Sequence, residues 1–149
     1  MEKRSFLSVF AGLVFVIAAV TLIDLSLLWA GVLPPADQPM GDSLAFLAMS
    51  YRIIIGIAGA WLTAWLAPSR PMTHALVLGC IVAALALTDL VASFGDGLQP
   101  NWYPIALTLL AIPRSWVGAR LFESMSSAKA MRSSADANGS GIRLRLGFS

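Results

Sequence analysis

Scarce cysteine, histidine and charge exclude several classes of protein for this chain of 149 residues. Cys80 is the only cysteine, so the chain cannot form a CxxC redox pair, a thiolate zinc site or an internal disulfide. His74 is the only histidine, which excludes a bis-histidine haem within one chain. We therefore expect no cofactor. Charged residues make up 12 % of the sequence, whereas a soluble domain carries roughly 25 %.

Apolar residues are abundant instead, and they predict a membrane protein. They form 58 % of the chain, and the mean hydropathy is +0.78. Since one crossing needs about 20 apolar residues, the length fits four spans, which we place at residues 6–33, 44–67, 73–94 and 102–122. The first would end at Pro34 and Pro35, because proline cannot continue a helix. Pro113 and Arg114 make the fourth span the weakest.

The predicted fold is an all-α, four-helix transmembrane bundle with antiparallel, up-and-down topology, because short connections make consecutive helices neighbours. This membrane domain covers residues 1–123. Residues 124–149 are rich in serine, alanine and glycine, and such a segment buries too little apolar surface to order itself. They predict a disordered cytoplasmic tail.

The distribution of lysine and arginine predicts the orientation in the membrane. The loops after the first and third spans carry neither residue and hold Asp37, Asp42 and Asp96 instead. Basic residues lie at the opposite membrane edge and in the tail, namely Lys3, Arg4, Arg70, Arg120, Lys129, Arg132, Arg143 and Arg145. Because positive residues are enriched on the cytoplasmic side, both termini are predicted to be cytoplasmic. The same rule explains the net charge of +2, so we expect no nucleic-acid partner.

Three charged residues inside the apolar runs, Asp24, Arg52 and Asp89, are the strongest candidates for a site. A charge at the bilayer centre costs about 2.5–3.5 kcal/mol on the insertion scale, so such residues pair or face a wet cavity. From the rise per helical residue, all three lie roughly 7–12 Å from the same membrane edge. Small residues at helical spacing beside Arg52 and Asp89 turn both toward the packed interior. The three predict a buried ionic network, which is either structural or a polar site open to the outer face. The remaining alternative is that Asp24 simply lies at the membrane interface.

Arg114 and the aromatic residues at the span ends predict contacts with lipid. Arg114 lies in the cytoplasmic half of the fourth span, and no acidic residue is available at its depth. We expect its long side chain to reach lipid phosphate; the alternative is a contact with backbone carbonyls that Pro113 frees. Aromatic belts at the membrane edges are predicted from Trp29, Trp61, Trp65, Trp102 and Tyr103.

Two stretches of the sequence resemble a known group of proteins. They are Tyr51-Arg52 to Gly79, which includes the connection Leu66-Ala67-Pro68-Ser69-Arg70-Pro71-Met72, and Asn101 to Pro113. In both stretches the chain is similar to an uncharacterised family of small four-span bacterial inner-membrane proteins. The resemblance implies a location in a bacterial inner membrane, and it brings no catalytic motif and no functional residue.

Two classes of function remain open from the sequence. The first is a structural or accessory protein of the lipid bilayer, which associates with itself or with a larger membrane complex. The second is a small transporter or channel protomer, because a charged bundle interior can bind or pass solutes. We expect no enzymatic activity, since the sequence shows no nucleophile–base pair, metal-ligand cluster or phosphate-binding loop.

Overall fold

The structure is a computed structural model in which the regular elements of the described residues are all helices. It describes the backbone of residues 2–35, 37–93 and 95–146 and the side chains of residues 5–35, 37–93 and 95–135. The helices are α1 (Glu2–Trp29), α2 (Asp42–Leu66), α3 (Pro71–Ser93) and α4 (Trp102–Leu146). All four are long and apolar enough to cross a membrane. The chain is thus a multi-pass membrane protein. The four helices and the packing between them confirm the predicted all-α four-helix bundle.

Local backbone geometry sets two helix boundaries that the sequence placed differently. α1 ends at Trp29 rather than at residue 33, because Gly31 adopts a left-handed φ of 70°. The Val32 amide donates to the Leu27 carbonyl at 2.9 Å, as in the Schellman motif that terminates a helix at glycine. α3 begins at Pro71 rather than at residue 73, since proline suits the first helical position.

α4 is longer than the predicted fourth span. The helix passes through Pro113 without a break, and it continues to Leu146, so residues 124–146 are helical where a disordered tail is predicted. Once a helix has nucleated, each further residue adds a hydrogen bond, and the first glycine after Gly118 is Gly139. Alanine, methionine, lysine and arginine, which favour helices, fill much of the segment between them. Residues 147–149 of the predicted tail lie outside the described residues.

The extension of α4 beyond the bundle is expected to add little stability. Every described side chain from Ser124 to Ala135 is exposed. Removing the residues after Ser134 should leave the melting temperature in detergent unchanged, because an unpacked terminal segment contributes few contacts. Circular dichroism during heating measures this, and a drop of several degrees would show that the extension docks on the bundle.

The four helices alternate in direction and enclose a shared interior. α4 packs along α3 and α2, while α1 packs against α2 and less extensively against α3; among the described residues the backbones of α1 and α4 do not approach each other. The α1–α2 loop (residues 30–35 and 37–41) and the α3–α4 loop (residues 95–101) meet at one end, the two-loop end. There the Met40 amide donates to the Leu98 carbonyl at 2.7 Å, and Trp102 Nε1 donates to Asp42 Oδ1 at 2.8 Å.

The half of the bundle away from the two-loop end is packed nearly backbone to backbone. A Cβ atom at Gly79 would lie 2.8 Å from Ser115 Oγ, and a Cβ atom at Gly118 would lie 2.8 Å from the Cβ of Ala60. Small side chains permit such close approach of helices. The buried cluster in this half consists of small side chains alone, namely Ala60, Ala75 and Ala119. Little space is left between the helices in this packed half.

Candidate functional site

A salt bridge joins α1 to α2 inside the membrane-spanning part of the bundle. Arg52 Nη2 donates to Asp24 Oδ2 at 2.8 Å. The Tyr51 hydroxyl donates to the other carboxylate oxygen, Asp24 Oδ1. The Arg52 and Asp24 side chains keep 28 % and 31 % of their surface exposed. Both oxygens of Asp24 are therefore satisfied, and yet the pair is accessible rather than sealed in the core.

Tyr103 of α4 provides a second contact for Arg52. The Cζ atom of Arg52 lies 5.8 Å from the centroid of the Tyr103 ring, within the range of about 6 Å for a cation–π interaction. Tyr103 is buried in the core, so the prediction that assigned it to an aromatic belt is wrong. Trp102 and Tyr103 are adjacent in α4, and their side chains point about 100° apart around the helix. Arg52 Nε is buried and has no hydrogen-bond partner among the described residues.

Asp89 does not join the salt bridge, so the structure brings together two of the three charged residues proposed as a network. Within the part of the chain that the structure describes, Arg52 and Asp24 form the one ion pair, and Asp89 is exposed. The three residues lie at similar depth, but α3 stands off from α1. Cavities lined by Asp89 lie in this gap, so Asp89 is a separate carboxylate.

Arg114 points into the bundle and not toward lipid headgroups. Its residue surface is 8 % exposed, and its Nη1 donates to the Arg52 carbonyl at 3.2 Å. The side chain lies over Gly56, where an added Cβ would come within 2.6 Å of Arg114 Cδ. The predicted contact with lipid phosphate is therefore wrong. The alternative prediction, a contact between Arg114 and a backbone carbonyl freed by Pro113, named the correct type of acceptor. The carbonyl that accepts the hydrogen bond belongs to Arg52 in α2, however, and is not one that Pro113 frees.

A large cavity extends from the two-loop end to the salt bridge. Its volume is about 530 Å³, and both loops contribute to its rim, through Pro34 and Gln38 on one side and Leu98 on the other. Its charged lining residues are Asp24, Arg52, Asp89 and Asp96. The charged groups of the site therefore face a recess that begins among the loops.

A second cavity, the central cavity, lies further from the two-loop end and has a volume of about 280 Å³; it opens on the side between α1 and α3, where Ile17 and Leu85 are half exposed. It shares Thr21, Arg52 and Asp89 with the large cavity, and Arg114 also lines it. Arg114 lies roughly 18 Å along α4 from Trp102, close to the centre of a hydrocarbon core about 30 Å thick. The other lining residues are apolar, namely Val16, Ile17, Val20, Val82, Leu85, Ala86 and Leu107. The two adjoining cavities form one recess that leads from the two-loop end to Arg114.

Comparisons with known proteins assign no function to this recess. No protein-family model, curated protein or solved structure matches the chain. What the site can do chemically therefore follows from its own side chains. These offer two guanidinium groups, two phenols and the carboxylates of Asp24, Asp89 and Asp96, which suit the binding of a polar or charged solute.

Sequence analysis missed two members of the site, Tyr51 and Tyr103. Tyr51 lies beside Arg52 in an otherwise apolar run, and this is a usable signal, since a buried tyrosine hydroxyl usually finds a hydrogen-bond partner. Tyr103 gives no comparable signal. It follows Trp102 at the start of a helix, where a place in an aromatic belt is equally compatible with the sequence.

Proposed function

We propose that this protein binds a small polar solute in the recess, as a small transporter or channel protomer does. The observation that carries the proposal is the accessible salt bridge between Arg52 and Asp24 on the wall of the large cavity. An ion pair that only ties two helices together needs no cavity beside it, because its charges are satisfied by each other and by neighbouring hydrogen bonds. This pair instead borders a cavity, as charged residues that bind solutes do.

The uneven packing of the bundle supports the same proposal. Both cavities lie toward the two-loop end, whereas glycine contacts such as Gly79 with Ser115 close the packed half. A solute could enter the recess and would meet tightly packed helices beyond Arg114. This arrangement fits a carrier that is open to one side, and passage through such a carrier would require the packed half to separate.

We further propose that the protein lies in a bacterial inner membrane with its two-loop end outside the cytoplasm and both termini inside. The resemblance to small four-span inner-membrane proteins supports the choice of membrane. The orientation is supported by the lack of lysine and arginine in both loops of the two-loop end. In this orientation the recess receives its solute from outside.

Reporter fusions test this orientation. Fusions after Asp37 and after Gly97 should report an external location, and a fusion after Ser69 should report the cytoplasm, because loops with lysine and arginine stay inside. Alkaline phosphatase is active outside the cytoplasm and a fluorescent protein fluoresces inside it, so each location gives a positive signal with one of the two reporters. An external signal at Ser69 would overturn the proposed orientation.

Cysteine labelling tests whether the recess holds water. In a Cys80→Ala background, a Thr21→Cys variant should react with a charged, water-soluble methanethiosulfonate, because Thr21 lines both cavities and the reacting thiolate needs solvent to form. The matched control is Leu22→Cys, one position further along α1. Leu22 is 67 % exposed on the outer surface of the bundle, which faces lipid in a membrane.

The contrast between these neighbouring positions decides the outcome. Fast labelling at position 21 and slow labelling at position 22 supports a water-filled recess. Equal and slow labelling at both positions would contradict the proposed function, since a dry recess cannot receive a polar solute from water.

A structural or accessory role is the second candidate, and the position of the salt bridge favours it. The pair ties α1 to α2, and α1 packs less extensively on the bundle than α4 does. In this role the protein lies in the lipid bilayer and associates with a second copy of itself or with a larger membrane complex. A variant with Arg52→Leu, Asp24→Asn and Asp89→Asn separates the candidates. A stable variant without a growth phenotype indicates a structural pair, and a stable variant with a solute-dependent phenotype indicates a binding site.

A further inference from the structure

The central cavity presents two opposite charges that do not neutralise each other. Arg114 donates to the Arg52 carbonyl but forms no ion pair with any carboxylate of residues 5–35, 37–93 and 95–135. Asp89 likewise forms no ion pair with either arginine that lines the cavity. Both residues line the same cavity. Arg114 is buried at 8 % exposure whereas Asp89 is exposed, and a buried charge such as that of Arg114 is costly unless a counter-charge satisfies it.

We propose that the central cavity binds a zwitterion of the α-amino-acid class, with its carboxylate on Arg114 and its ammonium group on Asp89. The inference rests on the proposed solute-binding function and names the class of solute. A planar guanidinium suits a carboxylate because it can donate two parallel hydrogen bonds. An ionised carboxylate such as that of Asp89 accepts hydrogen bonds and donates none, whereas an ammonium group donates them and accepts none.

The charge balance of the cavity favours a zwitterion over a simple ion. Asp24 already compensates Arg52, which leaves one positive group at Arg114 and one negative group at Asp89. A simple anion would satisfy Arg114 and be repelled by Asp89, and a simple cation would face the reverse problem. Because Arg114 is only 8 % exposed, water screens its interactions less than it screens those of a surface charge. A zwitterion satisfies both groups and carries no net charge into the membrane.

The size and lining of the cavity narrow the class to amino acids with small aliphatic side chains. Its volume of about 280 Å³ lies just below the range of roughly 300–1,000 Å³ that drug-sized ligands occupy. Val16, Val82 and Leu107 are among the apolar side chains that line it. An aliphatic side chain would contact these residues while the headgroup lies between Arg114 and Asp89.

Gly56 holds Arg114 in the position that this binding mode needs. The Arg114 side chain lies over Gly56 with its Nε 2.7 Å from where a Cβ would be. A Gly56→Ala substitution would push the guanidinium aside, and we expect it to weaken ligand binding although residue 56 itself is not among those that line the cavity. Gly56 is in this sense a positioning residue for Arg114.

Calorimetry on the full-length protein in nanodiscs tests the proposal with L-leucine, L-valine and L-alanine as probes. Two matched analogues of leucine each lack one charge: 4-methylpentanoate has no ammonium group, and 3-methylbutylamine has no carboxylate. At least one of the three amino acids should bind. The dissociation constant of each analogue should be at least about tenfold higher than that of leucine, as expected for losing a charge-assisted hydrogen bond.

Two variants assign the two charges. Arg114→Gln should weaken amino-acid binding about tenfold or more, and Asp89→Asn should do the same. Asp89→Asn should also leave the binding of 4-methylpentanoate unchanged or stronger, because the repelling carboxylate is gone while Arg114 remains. Circular dichroism establishes that each variant is folded, and this difference between analogues cannot arise from partial unfolding.

Two outcomes would overturn the inference while leaving the proposed function in place. One is that no amino-acid probe binds although the Thr21→Cys variant is labelled from water. The other is that amino acids bind with equal affinity to the wild type, Arg114→Gln and Asp89→Asn. Failure of Thr21→Cys to react would overturn the proposed function and this inference together.

Discussion

Replacing Arg52 with leucine is expected to lower the free energy of unfolding by about 3 kcal/mol, the lower end of the range for breaking a buried ion pair. The substitution leaves the Asp24 carboxylate within the membrane-spanning region with the Tyr51 hydroxyl as its one remaining donor among the described residues. It also removes the cation from the Tyr103 ring. The lower end applies because 28 % and 31 % of the two side chains remain exposed. Unfolding of the purified protein in SDS, followed by circular dichroism, measures the loss.

A double variant identifies the cause of that loss. Arg52→Leu combined with Asp24→Asn removes the stranded charge, and asparagine still accepts a hydrogen bond from Tyr51, so much of the stability should return. Asp89→Asn is the matched control. Asp89 forms no ion pair with Arg52, so its neutralisation should leave the free energy of unfolding unchanged or raise it. If Asp89→Asn were as damaging as Arg52→Leu, the Arg52–Asp24 pair would not be the main polar tie between α1 and α2.

The transmembrane helices could be predicted closely from the sequence because apolar length determines them. A run of about 20 apolar residues has its most favourable place across a bilayer, where the backbone must satisfy its own hydrogen bonds. The differences arise where local geometry decides the boundary. Gly31 ends α1 before the prolines do, and α4 continues past the membrane domain because nothing in the following segment stops a nucleated helix.

Side-chain partners were harder to predict. The depth of a residue along its helix determines neither the direction in which its side chain points nor the space that the neighbouring helices leave for it. Asp24, Arg52 and Asp89 lie at similar depth, but among the described residues Arg52 pairs with Asp24 and not with Asp89, because a cavity lies between Arg52 and Asp89. Arg114 is buried because Gly56 on another helix has no side chain. No property of the α4 sequence reveals this space, so reasoning from the neighbours of Arg114 in the chain led to lipid phosphate.

Arg114 also departs from the rule that a charged side chain within the membrane pairs with a counter-charge. Its cation lies near the bilayer centre with a carbonyl as its hydrogen-bond acceptor, an arrangement that costs several kcal/mol unless a counter-charge or water is present. Violations of packing and charge rules are expected at functional sites and are compensated elsewhere in the molecule. The backbone contacts of the packed half, such as that at Gly118, are where this bundle gains compensating stability.

Substituting valine for Gly118 is therefore expected to lower the free energy of unfolding by about 3 kcal/mol, the upper end of the usual range for overpacking. The added atoms would meet the backbone and a short side chain of α2, which cannot move aside as a long side chain can. A Cβ at position 118 would lie 2.8 Å from Ala60 Cβ and 3.0 Å from Trp61 N. α4 would have to move away from α2 in the packed half. Thermal unfolding in detergent measures the effect.

Gly41→Thr is the matched control, because threonine has the shape of valine, suits the N-cap of α2 about as well as glycine does, and a Cβ added at Gly41 would meet no atom within 4 Å. The Gly118→Val variant also tests the closure of the recess. If the packed half is the barrier, separating α4 from α2 should let a water-soluble thiol reagent reach a cysteine placed at Ser115, which is 3 % exposed in the native bundle. Unchanged stability in Gly118→Val, with residue 115 still unreactive, would show that the barrier does not depend on this helix contact.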